Sequence, residues 1–159
     1  MFRAITLATL TVGLAASASA QAVHVSAVGV RPTDSDEVWV CNRDNGTVSV
    51  IDAAAGSIVA EIAVGEKPRT LAFSADGSKV FVANQRGDIP VDVSFITPFT
   101  GAEIRSSVSV IDADTHTVTD TLLDVGIEPY GVAVSPNGAW FCVSGFRSGT
   151  LKFFDTSTH

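Results

Sequence analysis

The sequence predicts an all-β fold made of repeated four-stranded antiparallel units, and three observations predict it. The chain matches itself: "VWVCN" (Val38 to Asn42) returns as "VFVAN" (Val80 to Asn84) and more loosely as "FCVSG" (Phe141 to Gly145). Each copy alternates short runs rich in Val, Ile, Phe and Thr with turn signals, the composition that pleated, packed surfaces favour. After residue 20 there is no helical periodicity of apolar residues. The 159 residues suffice for one modest domain, and a chain that is 46% hydrophobic and only 17% charged folds rather than staying disordered.

The N-terminal segment stands apart from the repeats. Arg3 gives a positive start, Ala4 to Leu14 is an uncharged apolar run too short to anchor in a bilayer, and "ASASA" (Ala16 to Ala20) supplies small residues at a cleavage site. Residues 1–20 are expected to be a secretory signal peptide, leaving 21–159 as the folded part and placing the protein in the periplasm, at the cell surface or outside the cell.

The first unit runs from Val25 to Val64. "SAVGVRPTDSDEVWV" (Ser26 to Val40) is a loose copy of "EKPRTLAFSADGSKVFV" (Glu66 to Val82) and of "IEPYGVAVSPNGAWFCV" (Ile127 to Val143). "TVSVIDAAAGSIVAEIAVG" (Thr47 to Gly65) then matches "SVSVIDADTHTVTDTLLDVG" (Ser107 to Gly126). The second unit runs from Lys67 to Val125. Its strands are "RTLAF", "KVFVA", "SVSVI" and "TVTDTLL". The third runs from Pro129 to His159 and lacks an outer strand. Asp76-Gly77 and Asn137-Gly138 mark hairpins, because both residue types tolerate positive φ. Asn45-Gly46-Thr47 fits a glycosylation sequon and a tight turn alike, and the turn is the preferred reading.

Strands such as "KVFVA" are apolar on both faces, as sheets stacked on sheets require. Four strands in about 42 residues make a β-propeller blade, and about 2.75 blades are present where closure needs four to eight. An open or incomplete propeller is therefore expected, its remaining blades coming from a longer chain or from self-association.

Taken together, "VFVAN…SVSVIDADTHTVTDTLLDVGIEPYGVAVSPNG" resembles the YVTN-type β-propeller repeat family, in its lactonase-like and surface-layer-like group. The resemblance covers nearly all of Val25 to Thr158. It implies an exported propeller that serves as a non-catalytic binding or scaffolding platform for a protein or cell-envelope component. Two alternatives also follow from it: the N-terminal part of a longer haem-associated redox propeller, and a propeller that binds single-stranded DNA. The net charge of −7 counts against nucleic acid, whose affinity rests on Lys and Arg neutralising phosphates.

Candidate site residues come from the loops. Gly65-x-x-Pro68-Arg69 and Gly126-x-x-Pro129-Tyr130 recur between the outer strand of one unit and the inner strand of the next. The glycines and prolines are structural, whereas Arg69 and Tyr130 exchange at one repeat position and are expected at the channel mouth. Between the second and third strands of unit two, 18 residues are inserted relative to unit one, within about Arg86 to Arg105. Alternation of the chain puts this insert on the same rim. Arg86, Phe95, Ile96 and Phe99 are its candidate contacts, free to pack on the propeller or to meet a partner. Arg86-Gly87-Asp88 reads as a polar turn rather than an adhesion motif.

Asp52, Asp112 and Asp155 recur at the end of the third strand and are expected to cap turns. No zinc spacing, nucleophile elbow or C-x-x-C-H motif occurs, so no cofactor is assigned and no enzyme site is indicated within these residues. Cys41 and Cys142 lie at different repeat positions of non-neighbouring units and are expected as buried free thiols, with Trp39 and Trp140 in the core.

Overall fold

The computed structural model describes residues 25–85 and 106–158, so the expected signal segment and the insert lie outside the described residues. Eleven strands are present among the described residues: β1 (Val25–Arg31), β2 (Asp34–Asn42), β3 (Thr47–Asp52), β4 (Ser57–Ala63), β5 (Pro68–Phe73), β6 (Lys79–Asn84), β7 (Ser107–Asp112), β8 (Thr117–Leu123), β9 (Pro129–Val134), β10 (Trp140–Gly145) and β11 (Thr150–Asp155). They form three antiparallel sheets of consecutive strands, β1 to β4, β5 to β8 and β9 to β11. Successive sheets touch through their first strands, β1 with β5 and β5 with β9, so these strands lie innermost. The result is about 2.75 blades of an unclosed propeller.

Register explains why the strands read apolar on both faces. Val80 and Val82 of β6 enter one core layer with Trp39, Cys41, Val48 and Val50 of the first blade. Their neighbours Phe81 and Ala83 point the other way, into a layer with Phe141 and Val143 of the third blade. The middle blade is thus packed on both sides, and β6 is buried throughout after Lys79. Alternation of side chains across a strand serves two interfaces here, not one interface and solvent.

Polar clamps tie the blades together at the rim that carries the hairpins. Arg31 donates from Nε to the Gly77 carbonyl at 3.0 Å and from Nη1 to the Ala113 carbonyl and to Glu37, each at 3.3 Å. It also pairs with Asp114. Lys79 donates from Nζ to the Thr156 carbonyl at 3.0 Å, linking the second blade to the third. Both residues bind main-chain oxygens of the neighbouring blade, so they fix the angle at which the blades fan.

The hairpin turns show why Asp or Asn precedes Gly. Gly77 has φ +71° and Gly138 φ +70°, left-handed values at which a Cβ would be strained. Asp76 accepts hydrogen bonds from the Ser74 hydroxyl at 2.6 Å and the Ser78 amide at 3.1 Å. Asn137 does the same for Ser135 and Ala139. The Ser74 hydroxyl, followed by the Ser78 amide and hydroxyl, holds the Asp76 carboxyl down at about 2 from an ordinary 3.8. A depressed carboxyl stabilises the fold above its unfolded pKa and loses that contribution as pH falls through the folded value. Asp76→Asn keeps the acceptor, as Asn137 shows, and removes the charge. Melting temperatures recorded from about pH 5 to about pH 2 should therefore fall less steeply for Asp76→Asn than for the wild type. Parallel curves would show that Asp76 does not contribute.

Two expectations need correction. Trp140 is 41% exposed, not part of the core. It begins β10 opposite Asp155 and stands edge-on to Phe153 with centroids 5.4 Å apart, on the face of the third blade that no other described blade covers. Cys142 lies on that same face and is only partly buried. Cys41 is fully buried between blades, and desolvation pushes its thiol up to about 12.

Candidate binding surface at the channel rim

The rim opposite the hairpins is built by the two Gly-x-x-Pro connections. In each, the residue before proline is left-handed, Lys67 at φ +54° and Glu128 at φ +52°. Such conformations are uncommon for residues with a Cβ. Here they turn the carbonyls toward the end of the next strand but one: Lys67 accepts the Gln85 amide at 3.1 Å and Glu128 accepts the Phe146 amide at 2.9 Å. Gln85 and Phe146 occupy one repeat position, so the same lock is made twice.

Gly65 is required for close approach. A Cβ there would lie 2.7 Å from Nδ2 of Asn84 and 2.8 Å from Oγ of Ser107. Asn84 is fully buried and donates to the Ser107 and Ser109 hydroxyls at 3.1 and 3.0 Å. Asn42 makes the equivalent bonds to Thr47 and Ser49 at 3.0 and 2.7 Å. These asparagines join second strand to third at the rim. Sequence reasoning passed over them, although each is followed by the same Ser/Thr-x-Ser pattern at the start of the third strand.

The structure brings the two expected rim residues into contact. The Arg69 guanidinium lies 4.1 Å above the centroid of the Tyr130 ring, a cation–π arrangement between the inner strands of neighbouring blades. Phe146 joins them, its centroid 5.7 Å from that of Tyr130. Tyr130 is 51% and Phe146 73% exposed, so this pair of rings is available to a partner. Phe146 was not expected from the sequence, because it follows a strand at a position where the second blade has Gln85. Arg147 beside it pairs with Glu128 at 3.3 Å.

The described residues that flank the insert, Gln85 and Ser106, reach this surface. The Ser106 hydroxyl donates to the Gln85 carbonyl at 3.2 Å and accepts the Glu128 amide at 3.0 Å. Both stems are thereby fastened to the next blade's Gly-x-x-Pro loop. Arg86, Phe95, Ile96 and Phe99 lie outside the described residues, as does the expected turn at Arg86-Gly87-Asp88.

The recurrent aspartates sit at the other rim. Asp52 accepts the Ala55 amide at 2.8 Å, Asp112 the Asp114 and Thr115 amides at 3.0 and 2.8 Å, and Asp155 the Ser157 and Thr158 amides at 2.7 and 3.1 Å. Bonds from Thr115, amide and hydroxyl, lower the Asp112 carboxyl, and bonds from Ser157, hydroxyl and amide, lower that of Asp155. Among the described residues no three His, Cys, Asp or Glu side chains gather as a metal site, and no helix is long and apolar enough to cross a membrane.

Fold and rim together define an open, partial β-propeller that presents side chains from neighbouring blades at one end. The comparisons agree on the fold. A candidate 6-phosphogluconolactonase of Bacteroides fragilis superposes with a TM-score of 0.60 at 17% identity, covering 82% of this chain and 34% of that one. A protein of unknown function from Desulfotomaculum acetoxidans superposes with a TM-score of 0.58 at 19% identity, covering 82% and 41%. In sequence, the chain is 24% identical over 119 residues to Antigen Lp49 of Leptospira interrogans, which covers 75% of this chain and 25% of that protein. The chain thus spans a quarter to two fifths of the length of these relatives. No family model matches it.

Proposed function

We propose that this chain is an exported propeller segment of the YVTN-repeat type that acts as a non-catalytic platform for a protein or cell-envelope partner. The observation that carries this reading is the convergence of Arg69, Tyr130 and Phe146 at one rim. Exposed aromatics beside an arginine are the residue types that dominate binding energy at protein interfaces. Rigid blades hold them at fixed spacing, so little order has to be imposed on binding. The residues that flank the insert, Gln85 and Ser106, are fastened to the same surface. The relative's name, an antigen, is compatible with an exported location.

The test is a capture experiment with envelope extract on immobilised protein. Wild type is compared with the Arg69→Ala/Tyr130→Ala double variant and with a variant whose residues 86–105 are removed. Loss of hot-spot contacts of this kind lowers affinity by about tenfold or more. We expect the double variant to lose the captured partner while keeping its circular dichroism and melting temperature. Undiminished recovery from both variants would sink the proposal.

A further inference from the structure

We propose that the outer face of the first blade in one copy of this chain takes up the outer face of the third blade in a second copy, head to tail. The inference is independent of the rim and rests on the register of the strands. On the face that no other described blade covers, the first blade carries a complete cross-strand row, Val30–Val38–Ile51–Ile58, one apolar residue from each strand. The second blade carries the equivalent row, Phe73–Val80–Ile111–Val118. That row is packed against the first blade, with Val80 and Ile111 fully buried. In the first blade Val30 remains 53% exposed. The next row matches as well, Val28–Val40–Ser49–Glu61 against Leu71–Val82–Ser109–Thr121. The uncovered face is therefore a second edition of one the chain already buries against a blade.

The third blade supplies the complement. What covers the second blade is the first blade's row Gly29–Trp39–Val50–Ala60. The third blade's corresponding row is Ala133–Cys142–Phe153, with Phe153 61% exposed and Trp140 edge-on beside it. Most of the covering surface in the interface within the chain comes from second and third strands, through Trp39, Cys41, Val48 and Val50. The third blade has both of those strands. The two open faces are the two halves of an interface this chain makes twice within itself. A second copy offers each half to the other, and the contact is heterologous, able to build rings or chains of subunits.

Two exposed positions allow a directional test. Val30→Asp spoils only the first-blade face and Phe153→Asp only the third-blade face. Light scattering should show concentration-dependent association of the wild type, monomers for each variant alone, and dimers when the two are mixed. In that mixture the Cys142 thiol of the Val30→Asp subunit should be shielded from a thiol reagent and that of the Phe153→Asp subunit should not. Circular dichroism checks folding, and Val28→Asp with Leu151→Asp serves as the replacement pair if either first variant fails to fold. A monomeric wild type at about 100 μM, a concentration well above the dissociation constant of a micromolar interface, overturns the proposal. So does a mixture that stays monomeric while the wild type associates.

Discussion

Replacing Trp39 by alanine is expected to remove about 3–5 kcal/mol of stability, the range seen when a large buried aromatic is truncated. Trp39 is fully buried between the first and second blades. It stands edge-on to Phe73 and to His116, with centroids 5.8 and 5.7 Å away, and its Nε1 donates to Glu37 at 2.6 Å. Truncation would leave a cavity against Val80 and Val82 and cost Glu37 one of its partners. Domains of this size are held by about 5–15 kcal/mol, so the loss is a large part of the whole. Urea unfolding provides the measurement, and Trp39→Phe should retain a clear part of the lost stability. Fluorescence adds a second readout: the emission remaining in Trp39→Ala comes from the half-exposed Trp140 and should be red-shifted. A change in stability below about 1 kcal/mol would show that the interface closes around a smaller side chain at little cost.

Phe141→Ala should have a similar cost, about 3–5 kcal/mol, at the other blade interface. The ring is fully buried and stacks with two others, Phe81 at 4.3 Å and Phe154 at 5.1 Å between centroids. Offset stacking adds to simple burial. The location of the damage is the sharper expectation. In repeat folds each unit depends on its neighbours alone, and stability is close to a sum of unit and interface contributions. Amide exchange should therefore accelerate in β9 to β11, while β1 to β4 keep most of their protection. Uniform loss across all three blades would mean that the fold opens as one unit and the nearest-neighbour picture does not hold.

Most of this architecture was legible in the sequence because the signals are local and repeated. Strand lengths follow from runs such as "KVFVA" and "SVSVI", and hairpins from Asp76-Gly77 and Asn137-Gly138, where φ itself selects the residue. Burial on both faces of β6 was readable for the same reason. The exposure of Trp140 was not, because a tryptophan in a strand favours burial by its residue type, whereas this repeat position lies at the exposed start of the strand. Its counterpart in the second blade is Lys79, at the start of the strand, whereas Trp39 matches Phe81.

At the rim the sequence located Arg69 and Tyr130 but could not show that they touch. Their contact depends on the angle between the second and third blades, to which distant groups such as Lys79 contribute. Phe146 escaped because it lies just past the end of β10, and its partner Tyr130 is the residue skipped where the β9–β10 register shifts. The left-handed Lys67 and Glu128 run against the preferences of long side chains, so no local pattern announces them.

The hydroxyl of Ser106 bridges the Gln85 carbonyl and the Glu128 amide. Where the chain leaves the second strand and where it returns are thus pinned to each other and to the neighbouring blade. This fastening is made by Gln85, Ser106 and Glu128 and sets no limit on the length of chain between the two points. Doubling the length of such a loop costs only about 0.6 kcal/mol of closure entropy. A connection fastened in this way can change in length at small cost while its two ends stay in place.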